Sequence, residues 1–159
     1  MRYFVLFLIT IAFSFTVQAQ QERDTTLSRC PVSVTDTVSA NNYFIEARPA
    51  VLKVYRVKGD LTIRIEQRDQ FFTLLFHSKR LKSGNYEIES GSRSRREIEA
   101  TYSFRSGDQV AYIELNKGTI QCSFDKTKNM WRLKVNGTIT NLADQTLSYY
   151  RVKADLWVK

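Results

Sequence analysis

Few residues in this chain could carry out catalysis, and they are scattered. The sequence contains one histidine, His77, and no motif such as GxSxG surrounds a nucleophile that it could activate. Carboxylates stand singly among basic residues; any two could meet in space as a glycosidase acid and base, but nothing in their spacing indicates that they do. We therefore predict that the protein is not an enzyme and that His77 has a structural role.

Metal and cofactor sites are not predicted either. One histidine and two widely separated cysteines cannot form a Cys/His zinc module. The sequence has no Asp-rich calcium loop and no Gly-rich phosphate loop. We therefore predict no catalytic residue, no cofactor and no metal.

The two cysteines, Cys30 and Cys122, could form a covalent cross-link. In an oxidising compartment two thiols are more often paired than free, so we predict a disulfide between them. The alternative is that Cys122 is a small core residue, because Ile120, Cys122 and Phe124 share one face of a predicted strand.

The charge balance is the remaining indication of a binding function. The chain has 24 Lys plus Arg against 16 Asp plus Glu, a formal net charge of +8. Two basic clusters flank the segment Tyr86 to Glu89, and they consist of Lys79, Arg80 and Lys82, and of Arg93, Arg95 and Arg96. We predict that they form one cationic edge that binds an anionic envelope or extracellular component. The alternative is solvated loop charge, and nucleic acid is not expected because the neighbouring aromatics in Phe71 to Phe76 resemble core residues.

Residues 1–19 have the features of a secretory signal peptide. Arg2 precedes the uncharged apolar run Tyr3 to Val17, and the segment ends in the small residue Ala19. A run of about 15 apolar residues is shorter than the roughly 20 needed to span a bilayer. We therefore predict cleavage after Ala19 and export to the periplasm or the outside of the cell, without stable membrane insertion. Residues 20–29 would then be a polar N-terminal segment, and residues 30–159 a single domain.

Apolar and polar residues alternate along most of the remaining chain, which is typical of half-buried β-strands. The segment Phe71 to Phe76 is apolar on both faces and predicts a central strand. The alternation is clearest in Leu61 to Glu66, Glu97 to Arg105, Trp131 to Ile139 and Tyr149 to Val158. It is weaker in Val32 to Val38, Tyr43 to Arg48, Val51 to Val57, Val110 to Leu115 and Thr119 to Phe124.

Short segments rich in turn-forming residues separate these strands, so we predict about ten antiparallel strands that follow one another as a meander. Such an array buries one face of each strand, which favours an all-β antiparallel sandwich, immunoglobulin-like or related. The alternative is a closed calycin-like barrel that binds a small apolar ligand. An outer-membrane barrel is disfavoured because strands such as Val51 to Lys58 carry charge on both faces.

Several short motifs occur in a characteristic order along the chain: Asn41-Asn42-Tyr43-Phe44, Gly59-Asp60-Leu61-Thr62-Ile63, Leu81-Lys82-Ser83-Gly84-Asn85-Tyr86, Tyr102, Gly118-Thr119-Ile120 and Val135-Asn136-Gly137-Thr138-Ile139. This order resembles small exported β-sandwich proteins of Bacteroidetes, grouped in families of unknown function. In addition, Asn136 to Asn141 is similar to the G-x-[IV]-x-N strand-turn of immunoglobulin-like extracytoplasmic domains. Both resemblances imply an all-β sandwich, and neither implies an activity or a catalytic residue.

Overall fold

The computed structural model describes residues 23–89, 97–143 and 146–159. The predicted signal peptide, residues 1–19, and the second basic cluster, Arg93, Arg95 and Arg96, lie outside the described residues. The described chain contains eleven β-strands: β1 (Arg23–Leu27), β2 (Val32–Asp36), β3 (Ala50–Val57), β4 (Asp60–Gln67), β5 (Gln70–Phe76), β6 (Gly84–Glu89), β7 (Ile98–Ser106), β8 (Gln109–Glu114), β9 (Lys117–Asp125), β10 (Met130–Ala143) and β11 (Thr146–Val158).

The strands form two antiparallel sheets that pack face to face. Sheet A has the order β1-β3-β4-β5-β7-β8, and sheet B has the order β2-β11-β10-β9-β6. The core lies between them, where Phe72 and Leu74 of sheet A and Leu133 and Leu156 of sheet B are almost completely buried. The prediction of a β-sandwich is therefore confirmed. The alternative of a closed barrel is wrong, because the described strands form two separate sheets.

The connections differ from the predicted meander. Hairpins join β3 to β4, β4 to β5, β7 to β8, β9 to β10 and β10 to β11, but five other connections cross between the sheets. The segments around Ser83-Gly84 and Asn116-Lys117 belong to such crossings rather than to hairpins. Turn-forming residues predict that the chain reverses. They do not specify whether the next strand pairs with its predecessor or joins the opposite sheet.

Strand β5 is central, as its apolar pattern predicts, because it lies between β4 and β7 in sheet A. Its inner face contributes Phe72 and Leu74 to the core. On its outer face Phe71 is only 9% exposed, and the Arg64 guanidinium lies 4.3 Å from the centre of its ring. A long cationic side chain thus covers an apolar residue on the solvent side of the sheet.

Residues 41–49 form a loop, so the strand predicted at Tyr43 to Arg48 is wrong. The buried side chain of Gln67 holds this loop: its Oε1 accepts a hydrogen bond from the Ile45 N–H at 2.7 Å, and its Nε2 donates to the Ile45 carbonyl at 2.9 Å. The Tyr43 N–H donates to the Val34 carbonyl on β2 at 3.0 Å. Phe44 is fully buried, so the apolar pattern here marks an anchored loop.

The two Gly-Thr-Ile motifs lie next to each other in sheet B, where Gly118 on β9 pairs directly with Gly137 on β10. A Cβ at Gly118 would lie 2.8 Å from the Asn136 carbonyl oxygen, and one at Gly137 would lie 2.8 Å from Cδ2 of Leu115. Leu115 lies where the chain crosses from sheet A to sheet B. The glycine pair therefore lets the backbones of β9 and β10 and the Leu115 side chain approach one another closely at this crossing.

The predicted disulfide between Cys30 and Cys122 is wrong, because both cysteines are free and buried. Cys30 lies just before β2, whereas Cys122 lies on β9, and two strands of sheet B stand between them. At about 4.8 Å per strand, the two Cα atoms are about 14 Å apart, whereas a disulfide needs less than about 7 Å. Burial raises the pKa of the Cys122 thiol to about 11 and also raises the pKa of Cys30.

Candidate functional site

One end of the sandwich carries a large excess of positive charge, and we call it the basic end. It comprises the end of β3, the β3–β4 turn, the loop from β5 to β6, the β9–β10 turn and the end of β11. Its described residues include eight exposed cations: Arg56, Lys58, Lys79, Arg80, Lys82, Lys126, Lys128 and Lys159. Among the described residues, four carboxylates lie nearby: Asp60, Glu97, Glu99 and Asp125.

The opposite end, which we call the neutral end, shows no such excess. It comprises the segments at residues 28–31 and 37–49 and the β4–β5 and β7–β8 turns. Among the described residues its four cations are Arg29, Arg48, Arg68 and Arg105, and its four carboxylates are Asp36, Glu46, Asp69 and Asp108. The positive charge is therefore concentrated at one end of the molecule.

A cleft of about 420 Å³ opens at the basic end, between the two sheets. Its apolar lining comes from both sheets and from the loop between β5 and β6: Val54, Leu61, Leu81, Trp131 and Val158. Its basic lining consists of Arg56, Lys79, Arg80 and Lys159. Of the lining residues in the described chain, none has a carboxylate side chain. We call this feature the basic cleft.

Hydrogen bonds hold the loop that carries Lys79 and Arg80. The Arg56 guanidinium donates to the Lys79 carbonyl at 2.5 Å, and the Ser78 hydroxyl donates to the Arg80 carbonyl at 2.9 Å. The Leu61 N–H donates to the Ser78 carbonyl at 3.0 Å. Leu81 packs against the core. The backbone of the loop is thus fixed by its neighbours while the side chains of Lys79 and Arg80 stay exposed.

His77 lies immediately before this loop and joins three strands of sheet A. Its Nδ1 lies 2.9 Å from Oδ2 of Asp60, and its Nε2 lies 3.1 Å from Oε1 of Glu99. These hydrogen bonds, with Asp60 contributing most, raise the pKa of His77. Both ring nitrogens contact carboxylates, and His77 does not line the basic cleft, so these contacts tie the start of the loop to β4 and β7.

The structure brings together part of the predicted basic edge. Lys79 and Arg80 line the cleft, and Lys82 lies exposed just before β6. Sequence reasoning missed Arg56 and Lys159, because they are distant in the chain and reach the cleft only through strand pairing. A partial signal existed in the basic residues that flank the predicted turns, such as Lys58.

A second depression, of about 630 Å³, crosses the outer face of sheet B. Its lining has mixed charge, with Lys134 and Lys153 beside Glu46 and Asp155. Asp155 already accepts two hydrogen bonds from Arg132, at 2.8 and 2.6 Å. This groove is larger than the basic cleft, but the carboxylates Glu46 and Asp155 share its lining with the two lysines, so it is the weaker candidate for binding an anion.

Among residues 23–89, 97–143 and 146–159, no group of three or more His, Cys, Asp or Glu side chains is arranged to hold a metal ion. A membrane-spanning helix is likewise not found in the described part of the chain.

No protein-family model matches the chain, no curated protein matches it, and no solved structure matches it. The resemblance to exported Bacteroidetes proteins therefore stays a prediction.

Proposed function

We propose that the protein is an exported, non-catalytic binding protein whose basic cleft holds an anionic component of the envelope or extracellular space. The observation that carries this proposal is the convergence of Arg56, Lys79, Arg80 and Lys159 on one cleft whose described lining contains no carboxylate side chain. These cations come from three separate segments of the chain, so their convergence is a property of the fold rather than of one basic run.

Electrostatics sets the scale of the expected affinity. Each exposed ion pair contributes about 0.2 to 1 kcal/mol, so four such cations support at most about 4 kcal/mol from charge alone, which corresponds to a Kd of about 1 mM. The apolar lining around Trp131 and Leu81 adds affinity for a ligand that also has an apolar part. Binding should weaken at high salt, since exposed charges are screened over about 8 Å at physiological ionic strength.

Charge reversal tests the proposal. We expect the double variant Lys79→Glu/Arg80→Glu to elute from phosphocellulose at clearly lower salt than the unmodified protein and to bind isolated envelope fractions more weakly. Its thermal stability should change little, because both side chains are exposed.

The matched control is Lys134→Glu/Lys153→Glu, which makes the same change in net charge on the outer face of sheet B. If both double variants lower the elution salt equally, only net charge matters and the cleft has no binding role. A larger decrease in the elution salt for Lys79→Glu/Arg80→Glu than for the control supports a binding role of the basic cleft.

Export rests on the composition of residues 1–19 and has its own test. Mass spectrometry of the protein recovered from outside the cytoplasm should show a chain that begins at Gln20 or within a residue or two of it. A recovered chain that retains Met1 would contradict the proposed cleavage.

A further inference from the structure

We propose that the basic end docks the protein onto an anionic lipid bilayer, as a peripheral contact with phospholipid headgroups. The inference deepens the proposed function and rests on it, because Lys79 and Arg80 belong both to the basic cleft and to the docking surface. It commits to one partner, a phospholipid membrane surface with negative charge.

The distribution of charge is the first argument. Attraction to a charged membrane falls off within a Debye length, about 8 Å at physiological ionic strength, so cations act together only when they face the surface together. At the basic end three adjacent connections and the ends of β3 and β11 supply eight exposed cations. Even when the four nearby carboxylates are counted against them, the described residues of this end keep four more cations than carboxylates.

Exposed apolar side chains among these cations are the second argument. Val57 is 44% exposed next to Lys58, and Phe124 is 40% exposed two residues before Lys126. The Phe124 ring packs on Trp131, a residue of the cleft, with the ring centres 5.2 Å apart. Aromatic and aliphatic groups interleaved with lysines are characteristic of surfaces that lie at the membrane interface.

The combination of excess positive charge with exposed apolar side chains distinguishes the basic end from the rest of the described molecule. The neutral end also exposes apolar side chains, such as Val38 and Tyr149, but there cations and carboxylates balance. A soluble anionic polysaccharide would engage the lysines and arginines but would gain little from Val57 and Phe124, because its surface is hydrophilic. A bilayer with anionic headgroups above an apolar interior matches both kinds of side chain.

The test is sedimentation with lipid vesicles. We expect the protein to bind vesicles of phosphatidylcholine and phosphatidylglycerol at a 7:3 ratio at least about tenfold more tightly than vesicles of phosphatidylcholine alone. Lys58→Glu/Lys126→Glu, which changes two cations outside the cleft lining, should lose at least about tenfold in affinity for the anionic vesicles. The matched control Lys134→Glu/Lys153→Glu should lose much less. All variants share residues 1–22, so any membrane affinity of that segment is common to them.

Val57→Ser separates this inference from the proposed function. The substitution removes an exposed apolar group and leaves every charge in place, so vesicle affinity should fall severalfold while retention on phosphocellulose stays unchanged. If anionic vesicles bind no better than neutral ones, or if Val57→Ser and Lys58→Glu/Lys126→Glu leave vesicle binding intact, the membrane inference is wrong. Should Lys79→Glu/Arg80→Glu still reduce phosphocellulose retention in that case, the cleft would bind a soluble polyanion instead.

Discussion

Replacing Gln67 with leucine should destabilise the protein substantially, although this residue belongs to no predicted site. Gln67 is only 5% exposed. Its amide makes two well-formed hydrogen bonds to the backbone of Ile45 and a longer one, 3.3 Å, to the Arg48 carbonyl. Leucine keeps a similar apolar volume at the end of β4 but leaves the Ile45 N–H and carbonyl without these partners.

The magnitude follows from these contacts. Two hydrogen bonds contribute about 1 kcal/mol each, and unsatisfied backbone groups cost a further 1 to 3 kcal/mol when fully buried. Ile45 is 40% exposed, so water replaces part of the loss and the lower end of that range applies. We expect the free energy of unfolding to fall by about 2 to 3 kcal/mol, which corresponds to a decrease in Tm of about 7 to 11 °C for a domain of this size.

Urea and thermal unfolding, followed by the fluorescence of Trp131 and Trp157, would measure this change. Gln121→Leu is the matched control, because Gln121 is an exposed glutamine on β9 and the same substitution there should cost less than about 0.5 kcal/mol. Hydrogen exchange adds a local measurement, since the Tyr43 amide should exchange faster once the loop loosens. A loss at Gln67 no larger than the control's would refute the idea that its amide holds the loop.

Three further predictions concern other parts of the fold. The pKa of His77 is raised, so the contribution of His77 to stability should be complete below its ordinary pKa of about 6.5 and disappear as the pH rises through the raised pKa. The free energy of unfolding of His77→Gln should therefore differ from that of the unmodified protein more at pH 5.5 than at pH 9. Gly118→Ala should lower the free energy of unfolding by about 1 to 3 kcal/mol in urea melts, since its Cβ would meet backbone atoms, and an unchanged midpoint would contradict this. Maleimide should label neither Cys30 nor Cys122 at pH 8 in the folded protein but both in denaturant without reductant, and denatured protein that fails to label would show a bridge.

The sequence predicted well those features that depend on local alternation. Leu61, Ile63 and Ile65 face the core from β4, as their period of two requires, and the apolar segment Phe71 to Phe76 is the central strand β5. Each of these inferences uses only the side chains of one strand. The same alternation wrongly predicted a strand at Tyr43 and Ile45. These residues lie in a loop, which the amide side chain of Gln67, 22 residues after Ile45, holds in place.

Features that depend on which strands become neighbours were not predictable in this way. Cys30 and Cys122 look like a possible pair until the order of sheet B places two strands between them. Similarly, Lys79 and Arg80 were identified as a basic run, but their grouping with Arg56 and Lys159 depends on how the ends of β3 and β11 meet. Pairing of distant strands is decided by the packing of the whole core, which no local pattern contains.

The unequal charge of the two ends also gives the molecule a permanent electric dipole along the sandwich. Near a negatively charged surface, the resulting torque turns the basic end toward that surface before any contact forms, so fewer encounters start in an unproductive orientation. The rate of association should therefore depend more steeply on ionic strength than the rate of dissociation does. The field that orients the molecule extends only about one Debye length, so this guidance operates within roughly 10 Å in 0.1 M salt and about 30 Å in 0.01 M salt.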